Sequence, residues 1–269
     1  MDGRIRHIIY QHIHGIALDA RQAFQKLTGQ DKALKSQTFI CGCPHSGTTL
    51  MANMFAAHPQ VFIPMRETEI FHFTAETRRG LRNLQEQAKL AGKPHLAEKT
   101  PIHVFSLDRI RELVPGATFV IMMRDGRDVA ASFVKRWGNA DGGFRNWVDA
   151  SEIATEARGA DDAIVVRYED LIADPQDVLE KVCGFVGMPF DPAMLEYYKV
   201  QRSWFGVKRP EKTGGKDGVE HKTLRSWQVN QPIFDGRGGW RKILRDEDVA
   251  RFKTSPANEL MQRFGYAVE

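Results

Sequence analysis

The 269 residues are 42% hydrophobic and 27% charged, enough apolar matter for a sizeable core and too little bias for a disordered or fibrous chain. Lys and Arg number 38 against 34 Asp and Glu, a formal charge of +4; this suits a local anion site and excludes a nucleic-acid-coating surface. No run approaches the roughly 18 consecutive apolar residues of a membrane span, and the opening MDGRIRHIIYQHIHG lacks the charged-then-apolar layout of a signal peptide, so a cytoplasmic protein without a membrane span is expected.

Residues 1–35 read as an N-terminal extension with a weak helical pattern from Ile16 to Leu27, followed by a single domain over 36–269. Short apolar runs rich in β-branched or aromatic residues at Thr38 to Cys41, His95 to Ala97, Thr118 to Met123 and Ala163 to Arg167 predict strands. Helices are predicted at Thr48 to Ala57, Glu76 to Leu90, Val104 to Leu113, Arg127 to Arg136, Pro175 to Val186 and Asp246 to Phe264. The alternation means an α/β fold of three layers, a central parallel sheet flanked by helices. Residues 201–239, rich in Gly, Lys and Arg, read as a long lid-like functional loop. Cys41, Cys43 and Cys183 are odd in number, and a lone C-x-C without a second Cys or His pair is a poor zinc site. They read as core thiols in a reducing compartment, with no metal expected.

The segment from Phe39 to Leu50, FICGCPHSGTTL, passes from a strand through a Gly-containing turn into a helix. Such a turn aims backbone N–H groups at one spot beside the positive end of the helix dipole and cradles a phosphate. The spacing from Gly42 to Thr49 is that of the nucleotide loop GxxxxGK[ST], with Thr48 where the lysine belongs. The later strand ends in Arg124, where a metal-binding Asp would be sought in a nucleoside triphosphatase. Both departures point to a phosphate-bearing nucleotide that is not a metal-chelated triphosphate.

The stretch CPHSGTTLMANMFAAHP resembles the 5′-phosphosulfate loop of the sulfotransferases that use 3′-phosphoadenosine 5′-phosphosulfate (PAPS), closest to the tyrosylprotein, heparan-sulfate and bacterial carbohydrate branches. A second stretch, TFVIMMRDGRDVAAS, is similar to that family's 3′-phosphate motif, which implies Arg124 and Ser132 as ligands of that phosphate. An Arg at a strand's carboxyl end and a Ser on the next helix converge on one anion. The competing reading is a salt bridge to Asp125 or Asp128, and for Arg127 that is the better one. Glu98-Lys99-Thr100-Pro101, Arg167-Tyr168-Glu169-Asp170-Leu171 and Arg237-Gly238-Gly239-Trp240-Arg241 extend the resemblance over roughly 36–269.

The resemblance implies a P-loop-containing sulfotransferase fold and transfer of a sulfuryl group from PAPS to a hydroxyl, releasing PAP. Pro44, His45, Ser46, Gly47, Thr48 and Thr49 would cradle the 5′ end, and Arg237, Gly238, Gly239, Trp240 and Arg241 would close over the 3′-phosphate and adenine. Glu67 is the expected base, with Glu69 competing for the role, and Lys99 is expected on the leaving 5′-phosphate, where a compact charge follows developing negative charge. His45 stands where most relatives place Lys or Arg; two phosphate charges favour its protonated form, which would stabilise the leaving group. The expected acceptor is a small molecule or glycan, leaning to a carbohydrate or glycolipid hydroxyl, with Phe71, His72, Phe73, Trp137, Trp147 and Trp204 either lining an aromatic cleft or, more in keeping with their spacing, in the core. A metal-dependent nucleoside or small-molecule kinase and a non-catalytic PAP-binding module are the alternatives.

Overall fold

The computed structural model describes residues 33–72, 76–207, 212 and 218–268; the helical pattern from Ile16 to Leu27 and the aromatic Phe73 lie outside them. In chain order the structure runs through β1 (Ser36–Gly42), α1 (Thr48–Ala57), β2 (Val61–Phe62), α2 (Thr77–Leu90), β3 (His95–Lys99), a 3₁₀ turn (Pro101–Ser106), α3 (Leu107–Leu113) and β4 (Ala117–Met123). It continues with α4 (Gly126–Trp137), α5 (Ala140–Glu156), β5 (Ala163–Arg167), α6 (Tyr168–Ala173), α7 (Pro175–Phe185), α8 (Gly218–Gln228), α9 (Asp246–Ala250) and α10 (Ala257–Arg263). The strands form one sheet in the order β2-β3-β1-β4-β5, every neighbouring pair parallel.

The two faces of the sheet follow from the period of two along each strand. Phe39 and Cys41 of β1 join Phe119, Ile121 and Met123 of β4 in a core with Val129 and Trp147 of α4 and α5. Ile40 of β1 joins Val120 and Met122 in a second core with Met51 and Phe55 of α1 and Leu179 and Val182 of α7. A central strand buried on both faces carries no polar alternation, which is why β1 and β4 read as continuous apolar runs.

All four predicted strands are present, β1 and β3 being longer at both ends or one end than the apolar runs alone. The helix predicted over Asp246 to Phe264 is broken into α9, a 3₁₀ turn (Arg251–Lys253) and α10, because Pro256 lacks the N–H a continuous helix needs. Val104 to Leu113 is likewise divided, its first part belonging to the 3₁₀ turn that Pro101 opens. Within 201–239, read as a loop, the described residues include α8; the glycines crowd its flanks, and its last turn packs inward through Ser226 and Val229. Among the described residues no helix is long and apolar enough to cross a membrane.

Candidate functional site

The site lies at the carboxyl ends of β1, β3 and β4, where a doubly wound sheet leaves its crevice. The turn after β1 is bent by three left-handed residues, Gly42 at φ 135°, His45 at φ 71° and Gly47 at φ 93°. Gly42 permits the closest approach: a Cβ there would stand 2.2 Å from the Met122 carbonyl oxygen of β4. Gly47 caps α1 with the ring of Tyr168 against it, 2.8 Å from where a Cβ would sit. A bend of this kind running into a helix N-terminus is where free backbone amides hold an anion; within it the Ser46 amide is spent on the Cys43 carbonyl at 3.1 Å.

Arg124 follows β4 and reaches across the crevice. Its Nη1 donates to the His45 carbonyl at 3.3 Å and its Nη2 to the Gly236 carbonyl at 2.7 Å, while its guanidinium stacks 4.4 Å from the Tyr168 ring centroid. Its one ion pair is a long one, to Asp128 at 4.0 Å, so the competing salt-bridge reading holds in part; its Nε is buried without a hydrogen-bond partner among the described residues. These features fit a cation awaiting an anionic ligand. Arg127 behaves otherwise, its guanidinium held to the Asp125 carboxylate at 2.7 and 3.0 Å. The Ser132 hydroxyl donates back to the Asp128 carbonyl at 2.9 Å within α4.

The segment 236–241 is latched onto α4 by Asp128, whose carboxylate accepts from the amides of Gly238 at 2.8 Å and Trp240 at 3.0 Å. Burial pushes the Asp128 carboxyl above its ordinary range, against the pull of Arg124 and the two amides. The Trp240 ring lies between the guanidinium groups of Arg127 at 4.4 Å and Arg241 at 4.5 Å. Arg237 turns outward to Asp235 at 2.7 Å and holds that carboxyl down to about 2.

On the other side of the turn, Lys99 ends β3 with its side chain wholly buried and its Nζ 2.6 Å from Glu67 Oε1. The same ammonium lies 3.4 Å from Thr49 Oγ1 and 5.4 Å from the Trp204 ring centroid. Burial pulls its pKa below the ordinary lysine value, and the Glu67 carboxylate pulls it back up. Glu69 is exposed and lines neither cavity described below, so of the two glutamates the structure brings Glu67 to Lys99.

Glu67 owes its place to Glu98, which the sequence did not single out. The buried Glu98 Oε1 accepts from the Thr68 hydroxyl at 2.7 Å, the Thr68 amide at 3.3 Å and the Thr100 hydroxyl at 2.7 Å, and Oε2 pairs with His103 Nδ1 at 2.9 Å. Burial alone would raise the Glu98 carboxyl, but His103, Thr100 and Thr68 together hold it below its ordinary value. It therefore stays ionised and clasps the segment that carries Glu67.

Two cavities meet at this turn. The first is bounded by Gly47, Arg124, Tyr168, Tyr197 and Phe234, the second by Pro44, Thr48, Glu67, Ile102, Trp137 and Lys222. The His45 ring stands at their junction, edge-on to Phe133 at 5.2 Å and Trp137 at 5.6 Å. Trp137 is 56% exposed, whereas Phe71, Trp147 and Trp204 are core residues and His72 is a surface residue outside both cavities. Burial pushes the thiols of Cys41, Cys43 and Cys183 up, so none is a nucleophile at neutral pH. Arg225, Lys222 and Arg136, all lining the second cavity, were not foreseen; the sequence signal for Arg225 was hidden because α8 read as loop.

Comparison with known proteins agrees with this arrangement. The family model described as "Sulfotransferase family" matches residues 37–92 and 79–192, together more than half of the chain. The chain is 28% identical over 268 residues to protein-tyrosine sulfotransferase A of Caenorhabditis elegans, covering 85% of this chain and 66% of that protein. It is 23% identical over 258 residues to the nodulation protein NoeE of Sinorhizobium fredii, covering 72% and 60%. The chain thus spans less than two thirds of the length of either of these two relatives. Among solved structures, a sulfotransferase domain from the curacin biosynthetic pathway superposes with a TM-score of 0.55 at 19% identity, covering 88% of this chain and all of that one. The mouse sulfotransferase SULT7A1 complexed with PAP gives 0.53 at 14% identity, covering 86% and 84%. The parallel sheet, its flanking helices and the phosphate-type turn after β1 are thus those of a known fold, and the match over 37–192 shows that this chain belongs to the sulfotransferase family.

Proposed function

We propose that this protein transfers a sulfuryl group from PAPS to an acceptor hydroxyl and releases PAP. The observation that carries the reading is the chain Glu67–Lys99–Thr49: a carboxylate lining the second cavity, a buried ammonium behind it and a loop hydroxyl lining both cavities, in contact with one another.

In this reading the donor's phosphosulfate lies on the turn 44–49, and its 3′-phosphate faces Arg124, whose Nε is unspent, with Ser132 joining once its hydroxyl turns from the Asp128 carbonyl. Residues 237–241, held to α4 by Asp128, cover the nucleotide, and Trp240 and Arg241 rather than the outward Arg237 face it. The acceptor oxygen attacks sulfur as the bond from sulfur to the 5′-phosphate oxygen breaks. Glu67 takes the hydroxyl proton, and in doing so loses the charge that holds Lys99. The freed ammonium then follows the charge growing on the leaving phosphate. A protonated His45 at the junction adds to that stabilisation. No metal enters the scheme, and a cytoplasmic site of action is part of the same reading.

The acceptor we infer is a carbohydrate or glycolipid hydroxyl, supported by the exposed Trp137, which lines the second cavity together with Glu67, since aromatic faces suit sugar rings. A peptide tyrosine is the second reading, favoured by the name of the relative from Caenorhabditis elegans.

A thermal-shift comparison of PAP, AMP, ATP and ATP with Mg²⁺ tests the donor. Selective stabilisation by PAP is expected, because a ligand that binds the folded state alone raises stability by RT ln(1 + [L]/Kd). Stabilisation by ATP only with Mg²⁺ would return the kinase alternative, and PAP binding without any transfer the binding-module alternative.

A further inference from the structure

Three residues line both cavities: His45, Thr49 and Arg225. They mark the passage where a group leaving one cavity enters the other. His45 is an imidazole and Thr49 is neutral, so Arg225 is the one permanent cation of the three.

Its surroundings explain why it is held there. The last turn of α8 is pinned from below, where Asn53 donates through Nδ2 to the Val229 carbonyl and accepts from Trp204 Nε1 at 2.9 Å. Just beyond, Asn230 Oδ1 accepts from the Arg202 amide at 2.7 Å. These contacts fix the backbone, but the guanidinium is left with little to bind. It makes one long hydrogen bond, 3.4 Å to Gln228 Oε1, and among the described residues no carboxylate comes within ion-pair distance of it. Burial draws its pKa down and Arg124 does the same, with Glu67 acting in the opposite sense. Arg225 in turn lowers the Lys99 pKa. Arg225 thus feels two like charges, Arg124 and Lys99, against the one carboxylate Glu67, a repulsion that an entering anion relieves.

We propose that Arg225 is a further catalytic residue, a donor that grips the oxygens of the sulfuryl group itself at the passage between the cavities. This rests on the sulfuryl-transfer reading above. The balance is that of the transfer: the sulfur–oxygen bond to the 5′-phosphate breaks with its electron pair going to that phosphate, the new sulfur–oxygen bond forms at the acceptor, and the acceptor proton goes to Glu67. Arg225 exchanges no proton; its planar fork keeps two N–H groups on the sulfuryl oxygens while sulfur crosses. It contributes to PAPS binding and little to PAP binding, since PAP has lost the group it touches.

The test compares affinities for PAPS and PAP, and the slow transfer of the sulfuryl group of PAPS to water, in the wild type, Arg225→Gln and Arg225→Lys. Arg225→Gln should weaken PAPS at least tenfold, leave PAP within threefold and slow transfer to water at least tenfold, with Arg225→Lys intermediate in each. Equal losses for the two nucleotides, or no loss, would overturn the assignment. If Arg225→Gln does not fold, the same comparison is read from Arg225→Lys, which keeps the stem and the charge. A wild type that binds neither nucleotide would instead sink the sulfuryl-transfer reading, so the two failures are distinguishable.

Discussion

Lys99 Nζ and Glu67 Oε1 lie 2.6 Å apart, the lysine wholly buried and the glutamate side chain 34% exposed. The carboxylate therefore serves two purposes: it compensates an ammonium taken out of water, and it offers its open side to whatever enters the second cavity. In the proposed transfer, a proton taken up by Glu67 weakens its hold on Lys99, which would couple proton uptake to delivery of the cation.

Glu67→Gln should lower kcat by about 10²- to 10⁴-fold, the usual worth of a positioned base. PAP affinity should stay within about threefold, while stability should fall by about 1–3 kcal/mol, because the amide oxygen still accepts from Lys99 but no longer compensates its buried charge. Steady-state kinetics and PAP titration check this, and a variant with near wild-type turnover would remove Glu67 from the chemistry.

The lowered Lys99 pKa gives opposed pH dependences. Unfolded, the side chain titrates near 10.5, so between its native pKa and that value the unfolded chain binds more protons and the folded state gains stability as pH rises. A reaction needing the ammonium declines over the same window. Denaturant unfolding and kcat measured from pH 7 to 11 should show the two trends in opposite directions, and Lys99→Met should remove this lysine's part of both.

Arg124→Ala should weaken PAP binding by about 1.5–3 kcal/mol, roughly ten- to over a hundredfold. Arg124→Lys should recover only part, since an ammonium cannot bridge the His45 and Gly236 carbonyls as the guanidinium does. Calorimetric titration with PAP reads both, and an unchanged affinity in Arg124→Ala would take this residue out of the anion site.

Gly42→Ala places a methyl 2.2 Å from the Met122 carbonyl oxygen at a φ of 135°. The loss of stability should exceed about 2 kcal/mol, seen as a fall in the urea midpoint. A midpoint equal to that of the wild type would mean that β1 and β4 are less tightly apposed than described.

Legibility in the sequence followed the separation of the partners. The turn from Gly42 to Thr49 and Arg124 with the helix after it are local patterns, strand then turn then helix, and both lie where they were read. The clasp of Glu98 on Thr68 joins residues 30 apart, and only their neighbouring strand and loop ends bring them together. Arg225 lay in a glycine- and charge-rich stretch whose composition signals loop, while tertiary packing of Ser226 and Val229 makes it helix. The split of the C-terminal helix at Pro256 was visible in the residue itself and was overridden by the apolar pattern around it.

The pairing of the central strand joins distant parts of the chain. β1 binds β3 through Ser36 and His95, and β4 through Gln37 and Ala117, partners separated by most of the first half of the domain. The anion turn at its end packs against Met122 and Tyr168, so its contacts are complete only when β4 and the start of α6 are in place. Closing such distant pairs is slow, because loop entropy is lost before the contacts reward it. The anion turn thus depends on partners far along the chain, Gly42 on Met122 and Gly47 on Tyr168, and no fragment ending before α6 holds all of its contacts.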